Sequence, residues 1–315
     1  MKDRLWRLGL HLLTAILLVP GVQAAPDAGT WAETLLQNSR QADYNGTIMV
    51  LQGNEQQAYR LWHEGGDGEF RERMRLLDGP EMEITRTPDR LTCVHAPGSE
   101  VPAEHDMPAS PFGSLLQIEP EQLQKNYRLT EEGEQRLAGR QARVYLLGSR
   151  SDSPRLHHRV WVDTATGVAL RHSRYGHDGT LLTDVRFVSF EPELGDAPAE
   201  IRSSFPQAFW HQFEESGARQ RAGADDVWQL DPIPDGFVRQ VEEEQDGEWY
   251  QLWSDGLVEF SLMVEPIVGV APEPMTEQRG STLLMSAVHG DWLVVLVGDV
   301  PEPLARSILS DISWQ

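Results

Sequence analysis

Three arginines stand at alternate positions in Phe70-Arg71-Glu72-Arg73-Met74-Arg75. Side chains alternate between the faces of a strand, so Arg71, Arg73 and Arg75 share one face of any strand formed there. A guanidinium binds carboxylate or phosphate through paired hydrogen bonds. The row could hold an anionic headgroup or a carboxylate-rich peptide. The alternative is a surface neutralised by cross-strand Glu or Asp. A second group lies near the C-terminus, where Trp249, Trp253 and Phe260 surround Ser254-Asp255-Gly256-Leu257. Aromatic anchors are enriched at interfaces. Strand neighbours face opposite ways, so some of these rings belong to a core instead.

Catalytic and cofactor motifs are absent. There is no G-x-S-x-G elbow and no H-E-x-x-H pair. The single cysteine, Cys93, excludes a C-x-x-C motif and an intramolecular disulfide. It lies in Arg90-Leu91-Thr92-Cys93-Val94, which reads as a strand, and is expected to be a buried thiol. His157 and His158 are neighbours in a strand-like run, so they point to opposite faces and cannot chelate together. The reading is a binding protein without enzymatic activity, metal or cofactor.

The elements that must carry these residues are mostly strands. Thr30 and Glu33 form a capping box, followed by Trp31, Ala32, Leu35, Leu36 and Ser39 on one helix face. Strand-like runs cover 44–51, 57–64, 69–77, 81–86 and 90–95, separated by turn residues such as Asp78-Gly79-Pro80. Residues 96–111 read as an exposed proline-rich loop, and 112–127 as partly helical. A meander follows over 142–147, 156–163, 168–174 and 180–191, as in a curved sheet or barrel. Residues 214–226 are polar and charge-mixed, which makes them a linker between an N-terminal domain at 27–213 and a C-terminal one at 227–315. The second domain predicts strands at 238–244, 248–253, 257–264, 282–288 and 291–297, then a helix over 301–312 with Leu304, Ile308 and Ile312 on one face.

The first 24 residues set the compartment. Lys2, Arg4 and Arg7 precede an apolar run at 8–19, and Val22-Gln23-Ala24 supplies the small residues for signal-peptidase cleavage. The run is shorter than the roughly 20 residues a membrane span needs. The mature protein is therefore expected in the periplasm. The full chain has a net charge of −22, with 49 acidic and 27 basic residues, the reverse of a nucleic-acid-binding footprint.

Along the chain, a set of short motifs resembles the MucB/RseB family. They are Tyr44-Asn45-Gly46-Thr47, Leu77-Asp78-Gly79-Pro80, Arg159-Val160-Trp161-Val162-Asp163 with Thr166-Gly167, and Asp178-Gly179. The C-terminal part adds Pro234-Asp235-Gly236-Phe237, Leu252-Trp253-Ser254-Asp255-Gly256-Leu257 and Phe260-Ser261. The resemblance implies an α+β, β-rich fold: a large unclosed antiparallel β-barrel with inner helices, similar to LolA and LppX, plus a small sheet-and-helix domain. It also implies a function. Such proteins bind the periplasmic domain of a membrane anti-sigma factor of the RseA/MucA type, shield it from regulated proteolysis, and so restrain an envelope-stress sigma factor. The large domain would sense a lipid, lipopolysaccharide or lipoprotein, and a homo-oligomer is compatible with the reading. A periplasmic lipid or lipoprotein carrier or chaperone is the alternative. On this reading Trp249, Trp253, Ser254, Asp255, Gly256, Leu257 and Phe260 contact the anti-sigma factor, and the arginine row holds the headgroup.

Overall fold

The computed structural model describes residues 27–66, 70–88, 90–95, 112–152, 154–195, 209–214 and 228–314. The stretches read from the sequence as a signal peptide (1–24), an exposed loop (96–111) and, but for Glu214, a linker (214–226) lie outside the described residues.

Helix α1 (Ala28–Gln41) begins on Asp27 rather than on Thr30. The Asp27 carboxylate accepts the Thr30 amide at 3.0 Å and the Thr30 hydroxyl at 2.9 Å. A carboxylate at that position satisfies an orphan donor and meets the positive end of the helix, so it displaces the expected threonine cap. The expected apolar face is the buried one: Trp31, Ala32, Leu35, Leu36 and Ser39 all turn inward.

Five strands then run as a meander: β1 (Tyr44–Gln52), β2 (Glu55–Glu64), β3 (Arg71–Leu76), β4 (Met82–Thr87) and β5 (Arg90–His95). Two short helices follow, α2 (Gly113–Leu116) and α3 (Pro120–Asn126). A second meander comprises β6 (Tyr127–Leu137), β7 (Arg140–Ser149), β8 (His157–Asp163), β9 (Ala169–Tyr175) and β10 (Leu181–Glu191). β1 pairs antiparallel with β10, which joins the two meanders, and β11 (Phe209–Glu214) adds to β5. The result is one 11-stranded sheet in the order β11-β5-β4-β3-β2-β1-β10-β9-β8-β7-β6. Its end strands, β11 and β6, do not pair, as the unclosed barrel requires. Trp31 of α1 reaches Tyr145 of β7 with ring centroids 5.6 Å apart, seating the helix on the sheet.

β6 is the element the sequence pattern does not show. Its sequence YRLTEEGEQRL has no apolar alternation, and most of it is exposed. It is an edge strand, and charge on an edge discourages pairing with another chain.

The C-terminal domain has a six-stranded sheet of β13 (Val238–Gln245), β14 (Glu248–Ser254), β15 (Glu259–Pro266), β18 (Trp292–Gly298), β17 (Thr282–His289) and β16 (Thr276–Arg279), in that spatial order. Strand β12 (Trp228–Leu230) pairs with β19 (Ile312–Trp314), tying the two ends of the domain together. Helix α4 (Glu302–Ser310) buries Leu304, Ala305, Ile308 and Leu309. Burial of a leucine or isoleucine of this kind contributes about 1.5–3 kcal/mol, which holds so short a helix in place.

Candidate functional site

The turn after β14 is closed by its own aspartate. Asp255 Oδ1 accepts the amides of Leu257 at 3.1 Å and Val258 at 2.9 Å, so the carboxylate substitutes for a backbone turn. Its other oxygen leaves the domain. Asp255 Oδ2 accepts the Tyr127 hydroxyl at 2.8 Å and lies 3.0 Å from Arg155 Nε. Tyr127 opens β6, and Arg155 lies two residues before β8, so both partners belong to the large domain. The Asp255 and Arg155 side chains are 0% and 3% exposed. The Arg155 guanidinium also stacks 4.6 Å from the Phe237 ring centre. Burial raises the Asp255 carboxyl above the usual range, while Arg155 and the turn amides pull it back. Burial drives Tyr127 well above the ordinary phenol value, so it stays a donor.

Backbone and amide contacts complete this seat. Gly256 O accepts the Glu119 amide at 3.0 Å. Asn126 Nδ2 donates to Asp255 O at 2.8 Å and to Gly236 O at 3.0 Å. Gly256 has φ +96°, and a Cβ there would meet Gln122 Cβ at 2.6 Å and Leu123 N at 2.7 Å. Only glycine allows both that conformation and that approach to α3.

A second seat lies across a cleft from the first. Arg174 of β9 donates to Ser114 Oγ at 2.8 Å and to Ser281 Oγ at 3.0 Å, and pairs with Asp299. Thr183 Oγ1 meets Ser281 Oγ at 3.0 Å and accepts the Ser281 amide at 2.9 Å. Between the seats is a cavity of about 210 Å³, with Leu252, Leu257, Phe260 and Val297 on the small domain and, from the large one, Ser114 of α2 and Gln117 just after it among its lining. It can accept an apolar side chain with a polar edge.

The sequence-predicted contact residues are all interior. Trp249, Trp253, Ser254, Asp255, Gly256, Leu257 and Phe260 are buried in the docked molecule. Trp253 stacks on Phe260, with ring centroids 6.2 Å apart, and Trp249 packs edge-on against Trp292 at 5.2 Å.

The arginine row is also placed differently from a free anion site. Arg71, Arg73 and Arg75 do share a face, opposite the buried Met74. Each has a carboxylate beside it: Glu64 at 3.8 Å from Arg71, Glu83 at 2.5 Å from Arg73, and Glu81 at 3.6 Å from Arg75. Arg73 is buried and lies 5.3 Å from the Trp62 ring centre. Each arginine of the row thus has an acidic neighbour in its own domain. Cys93 is buried, and burial raises its thiol to about 12. His158 lies 3.0 Å from His172 in the interior, while His157 is half-buried on the other face. Among the described residues no group of three metal-binding side chains forms a site.

Sequence reasoning missed Arg155, Tyr127, Asn126, Arg174 and Asp299. None lies in a chemical motif, and each gains its role from a partner 60 to 129 residues away.

Comparison with known proteins supplies the lineage of this two-domain arrangement. The MucB/RseB N-terminal domain model matches residues 27–208, and the MucB/RseB C-terminal domain model matches 222–313. The chain belongs to the MucB/RseB family. It is 29% identical to Sigma factor AlgU regulatory protein MucB of Pseudomonas aeruginosa, over 96% of each chain. It is 22% identical to Sigma-E factor regulatory protein RseB of Escherichia coli K12, over 99% of this chain and 98% of RseB. Among solved structures, the Pseudomonas aeruginosa MucA/MucB complex gives a TM-score of 0.69 at 26% identity, covering 91% of this chain and 99% of that one. MucB in complex with the MucA periplasmic domain gives 0.68 at 25% identity, covering 92% and 99%. A MucB crystal structure gives 0.62 at 26%, covering 91% and 98%. The relatives are named as regulatory proteins of sigma factors. Among the described residues no helix of this family member is long and apolar enough to cross a membrane.

Proposed function

We propose that this protein is a periplasmic, non-enzymatic regulator that binds the periplasmic domain of a membrane anti-sigma factor. Binding shields that domain from regulated proteolysis and so restrains an envelope-stress sigma factor. One observation carries the reading: both domains align, nearly end to end, with MucB in complex with the MucA periplasmic domain. The C-terminal domain, from about Val227 onward, supplies most of the contact on this reading. The large domain is the sensor, taking a lipid or lipoprotein whose acyl chain gains about 0.8 kcal/mol per buried methylene.

The test uses the mature protein and the periplasmic domain of its own anti-sigma factor. Calorimetric titration is expected to show a saturable complex, and that complex is expected to resist a site-1-type protease. A chain ending at Glu215, folded by circular dichroism, is expected to lose most of the affinity. Absence of binding by the intact chain rejects the function; unchanged affinity of the shortened chain rejects only the domain assignment.

A further inference from the structure

Interfaces between domains of one chain usually resemble transient contacts, and relative motion is their default. The contact at Asp255 is of another kind. One oxygen of a small-domain carboxylate reaches into the large domain, with the Arg155 guanidinium at 3.0 Å and the Tyr127 hydroxyl at 2.8 Å. A buried ion pair adds little net stability, because desolvation consumes most of its attraction. It is exacting about position, since a small offset leaves a buried charge without its partner. Asn126, Glu119 and the missing side chain of Gly256 impose the same demand from three directions. The seat therefore specifies one arrangement of the domains.

The chain as a whole has counterparts among solved structures. At equal or nearly equal identity and coverage, the overlap is 0.69 and 0.68 with the two MucA-containing structures and 0.62 with the MucB crystal structure. We propose that Asp255 is a positioning residue for anti-sigma binding. With Arg155 and Tyr127 it holds the docked arrangement, and the partner recognises that arrangement, not the surface of the turn. The inference rests on the proposed function and sharpens it. The seat touches α3 and the first residue of β6, so whatever displaces α3 weakens partner binding without touching the partner.

The binding arithmetic gives the expected size. Apparent affinity falls in proportion to the fraction of molecules in the competent arrangement. If Asp255→Asn leaves one molecule in ten docked, the dissociation constant rises about tenfold. A direct contact would give a similar loss, so a rescue experiment separates the two. Thr183 Oγ1 and Ser281 Oγ face each other at 3.0 Å across the other seat. Thr183→Cys with Ser281→Cys places two thiols there, and the natural Cys93 is buried elsewhere. Oxidation then fixes the domains together without Asp255.

The experiment measures affinity for the anti-sigma periplasmic domain by calorimetry, and domain arrangement by small-angle X-ray scattering. Asp255→Asn is expected to weaken binding about tenfold and to widen the distance distribution. In the oxidised double-cysteine background the same substitution is expected to bind within about twofold of its cross-linked parent, and reduction is expected to return the loss. Failure of the cross-link to rescue, with scattering showing docked domains, overturns the proposal. Undiminished affinity of Asp255→Asn overturns it as well. If Asp255→Asn does not fold, Tyr127→Phe repeats the test, because it removes one hydrogen bond and keeps the packing. Should the unaltered chain not bind, the functional reading fails, and the scattering result still reports whether Asp255 sets the arrangement.

Discussion

In the large domain, Arg71, Arg73 and Arg75 each face a glutamate of the same sheet region; in the small domain, Asp255 finds its cation, Arg155, across the domain boundary. The two regions contain the same chemistry, guanidinium against carboxylate. They differ in what must move to separate the charges. Along β3 the partners come from neighbouring strands or, for Glu81, the turn beside them, so separation means unfolding the sheet or, at the exposed ends, only a rotamer change. At Asp255 the partners come from two domains, so separation means undocking with both domains intact. An ion pair inside one sheet supports a fold, and an ion pair between domains selects an arrangement.

The strongest way to sharpen that contrast is Arg73→Ala. It leaves the Glu83 carboxylate buried with its main cation gone and no route to water short of opening β3 and β4. A cost of about 3–5 kcal/mol is expected, read as a lower denaturant midpoint for the large domain. A loss under about 1 kcal/mol would mean that the site admits water.

Arg155→Ala removes the corresponding cation at the other seat, yet Asp255 can escape to solvent by undocking. The expected result is two separate melting transitions and faster proteolysis between the domains, with each domain's own midpoint held within about 1 kcal/mol. A single transition shifted by the full cost of a buried charge would show that the domains cannot part, and would break the comparison.

A buried pair without charge lies between these cases. Burial, assisted by Arg174, holds His158 and His172 well below the usual imidazole value of 6.5. The unfolded chain binds protons that the folded chain refuses. The stabilising contribution is therefore present above about pH 6.5 and is lost as pH falls from there toward the depressed folded-state values, by at most about 1.4 kcal/mol per pH unit for each ring. Denaturant midpoints at about pH 7.5 and about pH 5 check this, with His172→Gln expected to flatten the slope.

The smallest effect belongs to the ends of the arginine row. Arg71 and Arg75 are 62% and 47% exposed, so replacing both by Gln is expected to change stability by less than about 0.5 kcal/mol. Unchanged affinity for an anionic amphiphile in that variant would leave the row as surface; a marked loss would restore the headgroup role.

Most of the framework was legible in local pattern. The α1 face from Trp31 to Ser39, the β1–β5 meander, the β7–β10 meander and five strands of the second domain all follow from apolar periodicity and turn residues. The start of α1 was not, because Asp27 and Thr30 are both good caps and only the placed chain chooses between them. β6 was not either, since a strand with no buried face has no alternation to read.

The sequence by itself determined the acidic balance, the absence of G-x-S-x-G and H-E-x-x-H motifs and the family, because each is written in residue types along the chain. It also determined that Ser254-Asp255-Gly256 is a turn. Only the tertiary structure decided what that turn does. The identity of Asp255 predicts a charge but not its partner, which stands 100 residues earlier in the chain and meets it across the boundary between the two domains. Burial likewise turned Arg73 inward to Glu83 while leaving Arg71 and Arg75 in water. Charge is a property of the residue; the dielectric around it and the partner within reach are properties of the assembled fold.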